Sequence, residues 1–113
     1  AAGMAQLRDA ATARGERRLA LLLARRLVAH DPWNELHQRA LMRLHVQAGE
    51  PGMALAAYQQ LVHRLKADLG EAPSRETAEL AESIRTAGRR QAVASWRGGM
   101  ERMTARPVLA LGA

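Results

Sequence analysis

The chain has 113 residues, no cysteine and a formal net charge of +6 at pH 7. Its length is that of one domain with a core of its own, and the lack of cysteine excludes disulfides and thiolate metal sites. No apolar run approaches the roughly 20 residues of a membrane span, and the start lacks the apolar segment of a signal peptide, so we expect a cytoplasmic protein with no membrane partner.

The positive charge is unevenly distributed along the chain. Residues 1–88 carry 12 Lys and Arg against 10 Asp and Glu, whereas residues 89–113 carry five Arg against one Glu. A basic segment of this kind invites a nucleic-acid interpretation. Because the excess lies at the end, we predict a nearly neutral helical domain over residues 1–88. Residues 89–113 are predicted to be a basic linker or tail.

The first two predicted helices cover residues 4–14 and 16–30, with Gly15 as the turn between them. In both segments apolar residues recur at spacings of three and four, which is typical of the buried face of an α-helix. The second helix also carries arginines beside its apolar face, and we interpret these as solvated rather than as phosphate contacts. They are Arg17, Arg18, Arg25 and Arg26.

A second pair of helices follows the Asp31-Pro32 step. Aspartate is a good N-cap and proline is tolerated in the first helical turn, so a third helix is predicted from Pro32 or Trp33 to about Ala48. Residues 49–52 form the next turn. The fourth helix then extends to about residue 68, and Gly70 supplies its C-terminal cap.

A fifth helix is predicted from Ser74, a candidate N-cap, to about residue 87. Its inward positions would cover the open end of the preceding pair, as a stack of helical repeats requires. These positions are Thr77, Leu80, Ala81 and Ile84.

The character of the chain changes after Gly88. A helix is predicted to resume at residues 89–96 and to end at Gly98-Gly99. The apolar run after Pro107 is typical of the start of a buried strand. That run predicts the first residues of a following domain.

The two helix pairs repeat one another at an offset of 34 residues. The aligned pairs include Gly15 and Gly49, Glu16 and Glu50, Ala20 and Ala54, Leu27 and Leu61, and Val28 and Val62. This period is typical of the tetratricopeptide repeat, a helix–turn–helix unit in which glycine permits the sharp turn. We therefore predict an all-α fold of tetratricopeptide-like antiparallel helix pairs, with two repeats plus a capping helix. The alternative is a non-repeating helical bundle.

The sequence shows no arrangement of catalytic residues. The four histidines do not have the i, i+4 spacing of a helical zinc site, and neither a glycine-rich phosphate loop nor a nucleophile motif is present. We therefore predict that the protein is not an enzyme, and that it needs no cofactor and no metal ion.

Several short motifs occur in a specific order and spacing. They are Ala-Arg-Arg-Leu-Val-Ala-His-Asp-Pro-Trp-Asn-Glu at residues 24–35, Arg-Ala-Leu-Met at 39–42, Gly49, Ala-Leu-Ala-Ala-Tyr at 54–58, Leu-Lys-Ala-Asp-Leu-Gly at 65–70, Pro73 and Thr77. Over about residues 4–87 this order resembles the bacterial transcriptional activator domain of antibiotic regulatory proteins. That family is all-helical and tetratricopeptide-like, and it follows a winged-helix DNA-binding domain.

The resemblance implies a non-catalytic regulatory and protein-interaction module of a bacterial transcriptional regulator. Its partner would be a winged-helix domain of the parent protein, which is not within this chain, with RNA polymerase or self-association as further protein contacts. DNA would be met indirectly, through the parent. Two other classes stay open: a general tetratricopeptide-like scaffold with no transcriptional role, and nucleic-acid binding through the basic tail, marked by a steep loss of affinity with salt.

One set of partner-binding residues is predicted on the third helix. Arg39, Arg43 and Gln47 recur at every fourth residue and are expected to share one exposed edge. The first helices of the two pairs would line the concave face of a repeat stack, the usual binding surface of such folds. There the three side chains would bind an acidic segment of a partner; the alternative is that they are solvated polar residues.

Overall fold

The computed structural model describes the backbone of residues 2–112 and the side chains of residues 3–100. Over that backbone it contains five helices and no strand. They are α1 (Ala2–Ala13), α2 (Arg17–His30), α3 (Glu35–Gln47), α4 (Pro51–Leu69) and α5 (Arg75–Gly112). Each helix packs against the next one in sequence, and α5 also contacts α3. The predicted all-α fold of two helix pairs and a capping helix is confirmed.

The two turns within the helix pairs share one backbone geometry. Gly15 and Gly49 have φ angles of 75° and 77°, in the left-handed region that glycine adopts at low cost. The N–H of Glu16 donates to the carbonyl of Ala11 at 2.9 Å, and the equivalent bond 34 residues later measures 2.8 Å. Both turns are therefore Schellman caps, and the repeat seen in the sequence is a repeat of backbone hydrogen bonding.

The aligned apolar positions are buried in both pairs. Leu27 and Leu61 are each 1 % exposed, and Ala20 and Ala54 are completely buried. An alanine at this position lets the second helix of each pair approach the first closely, because no larger side chain separates the backbones.

Two apolar clusters form the core. The first joins α1, α2 and α3, and it consists of Ala11, Ala20, Ala24, Leu41 and Leu44. The second joins α3, α4 and α5, and it consists of Met42, Ala54, Ala81 and Ile84. Because α5 completes the second cluster, the inward positions predicted for the capping helix are confirmed.

Helix α3 begins later than predicted. Asp31 caps the end of α2, where its N–H donates to the carbonyl of Leu27 at 2.9 Å. The N-cap of α3 is Asn34, whose side-chain oxygen accepts from the N–H groups of Leu36 and His37 at 3.1 and 3.4 Å. The prediction of Asp31 as the N-cap was wrong because the chain makes a further turn at residues 32–33. The first free N–H groups of α3 therefore lie next to Asn34 and not next to Asp31.

Helix α5 is longer than predicted. Its backbone is helical through Gly98-Gly99 and continues to residue 112, so the predicted break and the predicted strand after Pro107 were both wrong. Glycine disfavours a helix interior by only about 0.5–1 kcal/mol, and neither of these two has a positive φ. A short apolar run does not distinguish strand from helix by its pattern alone. The division into a domain over residues 1–88 and a tail over residues 89–113 stays a prediction.

Candidate protein-binding groove

A groove of about 480 Å³ lies between α1 and α3, the first helices of the two pairs. Its lining residues are Ala5, Arg8, Asp9 and Thr12 from α1, and Leu36, His37, Ala40, Arg43, Leu44 and Gln47 from α3. The lining combines four apolar side chains with six polar or charged ones. Such a surface suits a peptide segment better than it suits a reaction, because no nucleophile or pair of acids converges on it.

Arg8 connects the two walls of the groove. Its guanidinium is almost completely buried, with Nη1 3.2 Å from His37 Nδ1 and Nη2 3.0 Å from Asp9 Oδ1. Arginine can only donate, so His37 Nδ1 must accept and the imidazole proton must be on Nε2. The groove therefore holds His37 in its neutral form.

The same contacts affect the titration of His37. Burial and then the charge of Arg8 lower the pKa of His37 below 6.5, and this outweighs the opposite influence of Asp31 and Asp9. Protonation would replace the Arg8–His37 hydrogen bond with two cations facing one another. We infer that acid weakens the contact between α1 and α3.

We expect the free energy of unfolding to fall on acidification through the His37 titration. The pKa of His37 in the folded chain is lower than 6.5, the value for the unfolded chain. At a pH between these two pKa values the unfolded chain therefore binds more protons than the folded chain. The contribution of neutral His37 to the free energy of unfolding is complete above about pH 6.5. It is lost as the pH falls to the pKa of His37 in the folded chain. Urea unfolding at several pH values, followed by circular dichroism, measures it.

The control for this prediction is His37→Gln. The glutamine oxygen can accept from Arg8 but does not titrate, so the variant should lose the part of the pH dependence that lies just below pH 6.5. An unchanged pH profile in His37→Gln would show that another group causes the dependence.

The three residues predicted to bind a partner do not share one environment. Arg43 and Gln47 are exposed and lie along the groove. Arg39 is only 7 % exposed, and the prediction that it lies on the exposed edge was wrong. Each step of four residues turns about 40° around a helix, so Arg39 and Gln47 lie about 80° apart. Arg39 consequently faces α5 instead of the groove.

Arg39 belongs to a polar network that joins α3 to the start of α5. Its Nη1 donates to Thr77 Oγ1 at 2.9 Å, and its Nη2 lies 3.5 Å from Glu76 Oε2. Glu35 Oε1 accepts from both the N–H and the hydroxyl of Ser74 at 2.9 Å. The network therefore fixes the angle at which α5 leaves the turn.

The charge of Glu35 is stabilised by this network. Burial alone would raise the pKa of Glu35, but hydrogen bonds from Thr77 and Ser74 and the nearby charge of Arg39 outweigh burial and lower it below 4.5. This role of Glu35 and Arg39 was not predicted from the sequence. Their i, i+4 spacing as an acid followed by a base was the one signal available.

The described part of the chain contains neither a metal-binding cluster nor a membrane-spanning helix. Within it, no group of three or more His, Cys, Asp or Glu side chains is placed to hold a metal ion. None of its helices is long and apolar enough to span a membrane.

The comparison with protein families decides to which family the chain belongs. Residues 1–85 match the Bacterial transcriptional activator domain, which is three quarters of the chain. The chain belongs to this family. The match confirms the resemblance found in the sequence motifs. Membership of this family gives the chain a role in bacterial transcription activation. No curated protein and no solved structure matches the chain.

The extent of the activator domain agrees with the packing of the helices. The matched residues include both helix pairs, every residue that lines the groove, and the first part of α5 as far as Ile84 and Arg85. The arginine-rich continuation of α5 lies outside the match. The groove thus lies within the matched residues of this chain, whereas the continuation of α5 lies outside them.

Proposed function

We propose that residues 1–88 are a non-catalytic protein-interaction module of a bacterial transcriptional regulator. The module would couple to a winged-helix DNA-binding domain encoded outside this chain. The observation that supports the proposal is the groove between α1 and α3 in a chain of the activator-domain family. A groove between the first helices of successive pairs is the usual binding surface of helical repeat proteins.

The side chains at the groove define the chemistry of the partner. Leu36 is largely exposed, and Arg43 and Gln47 are exposed farther along the same helix. A partner segment with an apolar side chain against Leu36 and an acidic one near Arg43 would satisfy both features. We propose Arg43 and Gln47 as contacts, whereas Arg39 would act only by holding α3 against α5.

Site-specific photocrosslinking tests the proposal in a protein that contains this chain and the sequence encoded upstream of it. A photoreactive residue at Gln47 would report on the groove. The same residue at Gln59, which is exposed on α4, is the matched control. We expect crosslinks from position 47 to a winged-helix segment and none from position 59.

Charge reversal supplies the second measurement. Arg43→Glu should reduce the crosslink from position 47 by about tenfold, and Arg64→Glu, an equal change on α4, should leave it unchanged. Equal crosslinking from positions 47 and 59 would contradict a specific groove contact. An upstream sequence without a winged helix would favour the general scaffold instead.

A further inference from the structure

The second half of α5 carries an apolar pair that the helix bundle does not bury. Val93 is 50 % exposed and Trp96 is 67 % exposed, although tryptophan is the largest apolar side chain of the chain. The two residues are three positions apart on one face of α5. This part of α5 lies beyond the residues of the family match.

This apolar pair is not a continuation of the face that packs on the core. Ile84 packs into the second cluster, and at 3.6 residues per turn Trp96 lies about 120° and Val93 about 180° around the helix from it. The positions that do continue the core face hold Gln91 and Ser95. The face of α5 that is apolar therefore changes after Gly88, which indicates a second partner for the helix.

Two arginines flank the apolar pair, and both occupy the same position of successive heptads. With Val93 at position a and Trp96 at position d, Arg90 and Arg97 both fall at position e. Residues 83–100 contain four arginines and no acidic residue. Among the described side chains, neither Arg90 nor Arg97 has a carboxylate partner, whereas Arg89 lies 3.3 Å from Glu82.

We propose that this surface, formed by Arg90, Val93, Trp96 and Arg97, docks an acidic amphipathic helix of another protein. Apolar residues at a and d receive the apolar seam of a second helix, and charged e positions select a partner of opposite charge. Glutamates on the partner, beside its apolar seam, would face Arg90 and Arg97. The occupant is thus defined by charge complementarity together with the three-residue spacing of the apolar pair.

The same features disfavour two other occupants. A second copy of this chain would bring two more arginines to the surface, Arg90 and Arg97, and no carboxylate from residues 83–100. Nucleic acid would satisfy the arginines but would leave the exposed Val93 against phosphate, and a stacking platform usually contains more than one aromatic ring. An acidic helix satisfies both the cations and the apolar pair.

Binding of a synthetic peptide tests the proposal with the full chain. The probe is a peptide of three heptads with leucine at a and d and glutamate at e and g. In the Trp33→Phe variant Trp96 is the sole tryptophan, so its fluorescence reports directly on the surface. We expect saturable binding with a shift of Trp96 emission to shorter wavelength. A peptide of equal composition with the leucines scattered should bind at least tenfold more weakly.

Variants of the chain locate the binding site, with a labelled peptide as the reporter. Trp96→Ala and the double variant Arg90→Glu, Arg97→Glu should each weaken binding about tenfold or more. Arg17→Glu with Arg18→Glu makes the same charge change at exposed positions on α2 and should leave the affinity unchanged. Arg43→Glu should also leave it unchanged, which separates this surface from the groove.

Three results would overturn the proposal. Equal binding of the scattered peptide would reduce the contact to nonspecific charge attraction. Self-association of the chain alone, detected by sedimentation and abolished by Trp96→Ala, would assign the surface to a second copy. Duplex DNA that binds more tightly than the peptide, with a steep salt dependence that Trp96→Ala does not change, would assign it to nucleic acid.

Discussion

Replacing Arg39 with glutamate is expected to lower the free energy of unfolding by about 3–5 kcal/mol, the usual cost of leaving a buried charge without its partner. The side chain is buried against α5, with its guanidinium on Thr77 and beside Glu76. A glutamate there could not donate to Thr77, and it would add a second carboxylate close to Glu35. Urea unfolding, followed by circular dichroism at 222 nm, measures the loss.

The matched control for this experiment is Arg43→Glu. It makes the same change of charge one helical turn later, but at an exposed position, so its effect should stay within about 0.5 kcal/mol. Equal effects of the two variants would contradict the buried position of Arg39. The comparison also affects the interpretation of binding experiments, because a partner lost from Arg39→Glu reports on folding and not on contact.

The helix pairs were predictable because their signals are local. The turn at Gly15, the small residue at Ala20 and the leucine at position 27 recur 34 residues later, and each position has one physical requirement that few residue types satisfy. A left-handed turn needs glycine, and a close helix crossing needs a small side chain. Such requirements can be recognised in a sequence without knowledge of the other helices.

The groove and the α3–α5 network were less predictable because they depend on distant partners. His37 was one of four scattered histidines in the sequence, and its partner Arg8 lies 29 residues earlier. Arg39 has the same spacing to Arg43 as Arg43 has to Gln47, yet α5 covers only the first of them. Periodicity gives the angular position of a side chain on its own helix, but it does not tell which neighbouring helix covers that position.

The continuation of α5 illustrates a third case, in which local propensity pointed to the wrong structure. Gly98-Gly99 was interpreted as a break, whereas the helix continues through both residues. Glycine weakens a helix without ending it, unless the backbone is drawn into the left-handed region as it is at Gly70, where φ is 65°. At Gly70 the chain has to turn so that α5 can return to α3, and no such demand acts on Gly98.

Truncation of Leu27 or Leu61 to alanine is expected to destabilise the domain by about 2–5 kcal/mol, as for other fully buried leucines. Both side chains are 1 % exposed. Leu27 lies in α2, which packs between α1 and α3, and Leu61 lies in α4, which packs between α3 and α5. Because the surroundings correspond, the two costs should agree within about 1 kcal/mol, measured by urea unfolding.

Leu22→Ala provides the control, since it removes the same atoms from a leucine of α2 that is 48 % exposed and should cost less than about 1 kcal/mol. A cost for Leu22→Ala equal to that of Leu27→Ala would contradict the assigned buried face of α2. A large cost at Leu61 with a small one at Leu27 would show that the second pair, closed by α5, is stable without the first. The structural repeat would then not be matched by an energetic one, because a stack of equivalent pairs distributes stability over its units and their interfaces.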